Sequence, residues 1–217
     1  MSIAALIVAA GRGTRAGGND PKQWQMLAGK RVIDHTLNAF KQHSNIDTIL
    51  VVLHPEDQNR LTDPTIKTAL GGETRNQSVY NGLRALRAAA PKQVLIHDVA
   101  RPLISAKCIT DVIEALQTHP GAAPALPITD ALWRGQDGLV SETVARKNLF
   151  RAQTPQGFDF QSILQAHAQA CGAAADDVEV AMQAGLDVKI ISGHEENIKI
   201  TIPEDFERAS KIMKDRR

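Results

Sequence analysis

The sequence predicts an α/β fold, with a mostly parallel twisted sheet, helices on both faces and one protruding β-hairpin arm. Three observations predict it. Short runs rich in Val, Ile and Leu recur at residues 3–9, 48–53, 93–97 and 187–191, the composition of strands covered on both faces. Apolar residues between these runs repeat with helical spacing, and such alternation gives parallel strands joined by right-handed crossovers. One segment, residues 131–150, breaks the alternation.

The elements follow in order. Ile3 to Ala9 reads as a buried strand that opens into a glycine-rich basic stretch. Ile33, Leu37 and Phe40 share one helical face ahead of the run 48–53. After Gly71-Gly72, Thr74 and Gln77 have the spacing of a capping box, and Val79, Leu83 and Leu86 continue that helix. The run at 93–97 ends in His97-Asp98-Val99-Ala100-Arg101-Pro102, and Ile109, Val112, Ile113 and Leu116 then repeat at i, i+3, i+4, i+7. Within 131–150, Gly135-Gln136-Asp137-Gly138 is a turn signal between two alternating runs. A two-stranded hairpin is marginal alone in water, so a partner subunit is expected to cover it. Beyond the run 187–191, Pro203, Glu204 and Asp205 suit the first turn of a last helix that buries Phe206, Ala209 and Met213.

At 217 residues, with no repeat or linker, the chain reads as a single domain, 1–217, carrying 131–150 as an arm insertion. Hydrophobic content of 43% and charged content of 23% are those of a globular protein. A net charge of +1 gives no sign of a general attraction to nucleic acid or membrane. Cys108 and Cys171 lack metal or redox spacing and are expected as reduced thiols. No apolar run approaches the roughly 20 residues of a membrane helix, and no signal-peptide pattern opens the chain; a cytoplasmic location is expected.

The loop after the first strand points to a phosphate ligand. Glycines let backbone N–H groups cradle an anion, and Arg15 and Lys22 add positive charge. The string Gly11-Arg12-Gly13-Thr14-Arg15-Ala16 fits a dinucleotide fingerprint, which needs a helix opening at the glycines. Gly17-Gly18-Asn19-Asp20-Pro21 breaks such a helix. No Walker string occurs either. What remains is a long basic loop able to wrap a nucleoside triphosphate. Gly71-Gly72 with Ser78 could read a base or ribose, or form a simple capped loop. Asp98, at a strand tip, could hold Mg²⁺ or pair structurally with Arg101. His97 is expected to orient its neighbours, and the seven histidines form no zinc-ligand pattern. Taken singly, Arg146 and Lys199 read as surface cations.

Together these residues resemble the family of 2-C-methyl-D-erythritol 4-phosphate cytidylyltransferases over nearly the whole chain. The motifs are Ala9-Ala10-Gly11-Arg12-Gly13-Thr14-Arg15, Pro21-Lys22-Gln23, Gly71-Gly72 with Arg75 and Ser78, and His97-Asp98 with Ala100-Arg101-Pro102. Thr154-Pro155-Gln156 and Asn197-Ile198-Lys199 with Thr201 and Pro203-Glu204-Asp205 complete them. The resemblance implies a Rossmann-like nucleotidyltransferase fold, CTP as substrate, Mg²⁺ or another divalent cation, and a homodimer joined through the 131–150 arm. It implies that Arg15 and Lys22 stabilise the transition state at the CTP α-phosphate. Ala9, Ala10, Gly11, Gly13, Gly72, Ser78 and Asp98 would hold the nucleotide, and Asp98 the metal. Arg146 and Lys199 would position the polyol phosphate, with Arg101 and Thr154 beside it. Three positions depart from the family pattern: Val99 stands where Ala is usual, and Ala131 and Ala175 where Thr is frequent. Ribitol-5-phosphate cytidylyltransferases share much of the pattern, and some relatives are fused to a downstream synthase.

Overall fold

The computed structural model describes residues 2–13, 20–170, 172 and 174–216. Strand β1 (Ile3–Ala9) is followed by the short pair β2 (Met26–Leu27) and β3 (Lys30–Arg31), then helix α1 (Val32–Lys41), β4 (Thr48–Leu53), β5 (Lys67–Leu70) and α2 (Arg75–Leu86). Then come β6 (Gln93–Asp98), α3 (Ala106–Ala115), β7 (Gly121–Pro127), β8 (Leu132–Gln136), β9 (Leu139–Val144), β10 (Phe150–Ala152) and β11 (Gln156–Asp159). Helices α4 (Phe160–Gln169) and α5 (Asp177–Gln183), strand β12 (Val188–Ser192) and helix α6 (Glu204–Asp215) complete the chain.

The central sheet runs β10-β7-β11-β6-β1-β4-β5, with β12 also on β7. Its β6-β1-β4-β5 part is parallel throughout. The chain returning from the hairpin then runs antiparallel along β7, first as β10 and then as β11. β11 thereby fills the gap between β7 and β6. The predicted strands at 3–9 and 48–53 are found with those bounds, whereas 93–97 and 187–191 extend or shift by one residue.

Strand periodicity divides the core. On β1, Ile3, Ala5, Ile7 and Ala9 face the layer of α1 and α3, packing with Ile33, Phe40, Ile109 and Val112. Ala4 and Leu6 face the other layer, with Val79, Leu83, Ile163 and Leu164. Both faces of β1 are thus covered, which is why the strand is an uninterrupted apolar run. The predicted face of the last helix is present: Ala209 is fully buried, with Phe206 and Met213 partly buried around Ile198 and Ile200.

The hairpin is observed as a separate two-stranded sheet, β8 on β9. Asp137 and Gly138 both have positive φ, +52° and +79°, as a tight two-residue turn demands. The predicted capping box forms by half. Thr74 Oγ1 accepts from Gln77 N, but the Gln77 side chain reaches Glu73 N instead of returning to the cap residue.

Candidate active site

A cleft opens at the carboxyl ends of β1 and β6, where ligands bind in open α/β sheets. It is lined by Val8 of β1 with Ala10 and Gly11 just after it, from the α2 entry by Gly72, Arg75 and Ser78, and by Lys22, Asp98 and Lys199. The tight turn here depends on glycine. A Cβ on Gly71 would lie 2.4 Å from that of Ala10, so only glycine lets the α2 entry approach the end of β1. Gly13 has φ +61° and packs on the Lys22 stem. Gln23, buried, donates its Nε2 to the carbonyls of Ala9 and Gly11 at 3.0 and 3.1 Å, closing the mouth of the loop.

Asp98 is the electrostatic centre. Lys199 Nζ lies 2.6 Å from its Oδ2 and Arg75 Nη2 3.5 Å from its Oδ1. Burial alone would push this carboxyl up, but the Arg75 and Lys199 charges outweigh it and hold Asp98 well below the usual carboxylate range. Arg75 is in turn fixed by Asp177, 2.7 Å away and fully buried, which also faces His167 at 3.2 Å. Burial alone would lower the Arg75 guanidinium, yet the Asp177 and Asp98 charges raise it. The cleft therefore holds fixed charges of both signs before any ligand enters. Lys22 Nζ donates to the carbonyl of Ile200 at 2.6 Å, on the segment that carries Lys199.

A second network aligns the tip of β6. His97 Nε2 faces the carbonyl of Arg101 at 3.1 Å, so that nitrogen carries the proton. Nδ1 then accepts from the Thr154 hydroxyl at 3.0 Å, and Thr154 Oγ1 accepts from Asp98 N at 3.2 Å. Burial lowers His97 to about 4, so the ring is neutral near pH 7. The expected orienting role of His97 takes this form.

The predicted site residues fall into three groups. Ala10, Gly11, Lys22, Gly72, Ser78, Asp98 and Lys199 converge on the cleft, with Ala9 and Gly13 immediately behind. Ser78 Oγ also accepts from Gly72 N and donates to Thr74 O, so it shapes the loop. Arg101, Thr154 and Arg146 do not line this cleft. Arg101 donates to the carbonyls of Asn197 and Ala152 and ties the loop after β12 to the end of β10. Thr154 is buried in the His97 network. Arg146 lies at the base of the arm and donates to the carbonyl of Thr129. Arg15 lies outside the described residues, as does Cys171. Cys108 is a buried free thiol, pushed up by burial to about 11.

Sequence reasoning assigned Arg75 and Asp177 no role of their own. The signal was partial: Arg75 stands in the Gly71-Gly72 motif and Asp177 in an Asp pair, but 102 residues separate them. Gln156 was equally hidden. Its side chain accepts from the N–H groups of Asp177 and Val178 and donates to Asp176, fixing the start of α5.

A glycine-rich loop after the first strand, basic side chains around a strand-tip carboxylate and this sheet order define an α/β nucleotidyltransferase. A profile of the family described as 2-C-methyl-D-erythritol 4-phosphate cytidylyltransferase matches residues 3–215, and the chain belongs to that family. A protein of that name from Cereibacter sphaeroides is 51% identical over 219 residues, covering 98% of this chain and 97% of its own. A bifunctional enzyme IspD/IspF from Ruegeria pomeroyi is 55% identical over 218 residues, covering 99% of this chain and 57% of its own. Among solved structures, the cytidylyltransferase from Thermus thermophilus superposes with a TM-score of 0.82 at 32% identity, covering 99% of this chain and all of that one.

Proposed function

We propose that this chain transfers the cytidylyl group of CTP to 2-C-methyl-D-erythritol 4-phosphate, giving 4-diphosphocytidyl-2-C-methyl-D-erythritol and pyrophosphate in isoprenoid precursor biosynthesis. The observation that carries the reading is the cleft itself, where Asp98 stays ionised between Arg75 and Lys199 with Lys22 on the same rim. The name borne by relatives about half identical over nearly full length favours this acceptor over ribitol 5-phosphate.

A phosphate oxygen of the acceptor attacks the α-phosphorus in line. The new P–O bond forms as the α–β anhydride bond breaks, and pyrophosphate leaves with the bonding electrons. The nucleophile is already anionic, so no general base is needed. Catalysis rests on positioning and on charge placed where the transition state needs it. Lys22 and Arg15 are assigned to stabilise the transition state at the α-phosphate, and Ala9, Ala10, Gly11, Gly13, Gly72 and Ser78 to hold the nucleotide. Asp98 suits a divalent cation such as Mg²⁺: it is a carboxylate kept ionised at the cleft, beside the phosphate loop. That cation commonly takes one or two carboxylates and completes its shell with substrate phosphates and water. When bound, it would supply positive charge to the triphosphate.

Lys199, Arg146, Arg101 and Thr154 serve the acceptor side. Arg101, Arg151 and Lys199 share a second, polar pocket adjoining the cleft. Residues 1–217 act as one domain in the cytoplasm, and 131–150 joins two copies into a homodimer. The exposed Trp133, Leu139 and Val140 support that reading. The homodimer would also give Arg146 a site to serve, since it lines no part of the cleft on its own chain.

The test is pyrophosphate release from CTP with a divalent cation and 2-C-methyl-D-erythritol 4-phosphate, with ribitol 5-phosphate as control. Lys22→Ala and Arg15→Ala are each expected to lower kcat by ~10²–10³, the usual effect of losing a preorganised donor. Wild-type turnover in Lys22→Ala would overturn the assignment.

A further inference from the structure

Lys22 begins a single short turn, Lys22–Trp24, and a turn of this kind is too small to fix its own orientation. Arg60, at the end of the connection Pro55–Arg60 between β4 and β5, grips it from outside. Its Nη1 and Nη2 reach Oδ1 and Oδ2 of Asp20 at 3.1 and 3.2 Å. The same guanidinium stacks on Trp24, with Cζ 4.6 Å from the ring centroid. Asp20 and Trp24 stand two residues before and two after Lys22, so one side chain holds the backbone on both sides of it.

Arg60 is itself braced. Asp57, whose side chain is only 3% exposed, lies 3.6 Å from its Nη1. Arg31 donates to the Arg60 carbonyl at 3.1 Å and also covers the Trp24 ring. Asp57 faces Arg12 at 3.7 Å as well, and Arg12 pairs with Glu56 at 2.9 Å. The connection thus holds both stems of the glycine-rich stretch. Neither Arg60, Asp57, Asp20 nor Trp24 lines the cleft.

We infer that Arg60, backed by Asp57, is a positioning residue for Lys22, an inference that rests on the catalytic reading of Lys22 above. Exposed ion pairs contribute little to stability, whereas a planar guanidinium that binds a carboxylate bidentately and stacks on an indole fixes geometry that lysine cannot reproduce. A shift of about 1 Å in a group acting on the transition state can cost ~10²-fold in rate.

The experiment is a double-mutant cycle with Arg60→Met and Lys22→Ala, read by steady-state kinetics and thermal unfolding. Arg60→Met alone is expected to lower kcat about 10-fold or more while KM for CTP moves less than about 3-fold. In the Lys22→Ala background it is expected to cost almost nothing further, because both changes remove the same charge from its working place. Arg60→Lys is expected to restore little. Multiplying losses, or wild-type kcat in Arg60→Met beside an impaired Lys22→Ala, would overturn the inference alone. Wild-type turnover in Lys22→Ala would instead remove the reading beneath it. Should Arg60→Met fail to fold, Asp20→Asn on the exposed stem takes its place, with a smaller loss and the same non-additivity expected; unaltered kcat there would also count against the clasp.

Discussion

The cleft and the arm differ in where their side chains find partners. Around Asp98, carboxylates and cations are paired within the chain, Lys199 with Asp98 and Arg75 with Asp177 across more than a hundred residues, with Arg75 also on Asp98 and His167 behind Asp177. On the arm, Trp133 and Leu139 are 66% and 75% exposed, and β8 and β9 belong to no larger sheet. Buried charge is costly unless paired, so the cleft must be completed by its own fold. On the arm, apolar side chains stay exposed on a two-stranded ribbon that is marginal alone in water, the feature on which the proposed homodimer rests. One region has its charges paired within the chain, and the other leaves its apolar side chains uncovered.

Breaking the cleft is expected to have the largest effect. Asp98→Asn removes the shared counterion of Lys199 and Arg75 and the carboxylate on the β6 tip, and kcat/KM should fall ~10²–10³-fold. A steady-state assay beside a thermal melt separates lost chemistry from lost fold. On the arm, Trp133→Glu with Leu139→Glu should weaken self-association by ~10–100-fold, the scale of aromatic anchors in interfaces. Sedimentation velocity reads this, and the unfolding transition of each chain's core should stay in place; an unchanged sedimentation profile would remove the arm from any interface.

The third effect is graded by pH. His97 is held near 4 in the folded chain against an ordinary value of 6.5. As pH falls below 6.5 the unfolded chain takes up a proton that the folded chain refuses. Stability present above 6.5 is therefore lost down to about pH 4, by about 1.4 kcal/mol per unit at most. Asp98, held low, adds its own loss only below its ordinary 3.8. Urea midpoints at pH 7 and pH 5 test this, and His97→Gln should flatten the slope. The smallest effect belongs to Arg134, paired across the hairpin with Glu142 at 3.0 Å and mostly exposed. Arg134→Gln should move the melting temperature by less than ~1 °C.

Much of the sheet was legible because β1, β4 and β6 are covered on both faces and must be apolar throughout. β7 and β11 were not. Their sequences, Gly-Ala-Ala-Pro-Ala-Leu-Pro and Gln-Gly-Phe-Asp, contain no β-branched residue. The reason is packing: a Cβ on Gly157 would lie 2.5 Å from Val112 Cγ1, so small residues there let α3 approach the sheet. At the site, the loop glycines, Lys22 and Asp98 were legible as local chemistry. The grip of Asp177 on Arg75 was not, because no spacing in a sequence marks two residues that meet only after the sheet has formed.

The arm also enters and leaves the sheet through one gate. Phe150 pairs with Pro127, and Ile128 N donates to the carbonyl of Leu149 at 3.1 Å. Its two roots are therefore adjacent strands, about 4.8 Å apart. Residues 129–148 form an appendage whose removal leaves an ordinary turn between β7 and β10. Lengthening, shortening or exchanging it leaves the hydrogen bonding of the sheet untouched. Such a layout lets the arm change in length or sequence without disturbing the sheet that carries the cleft.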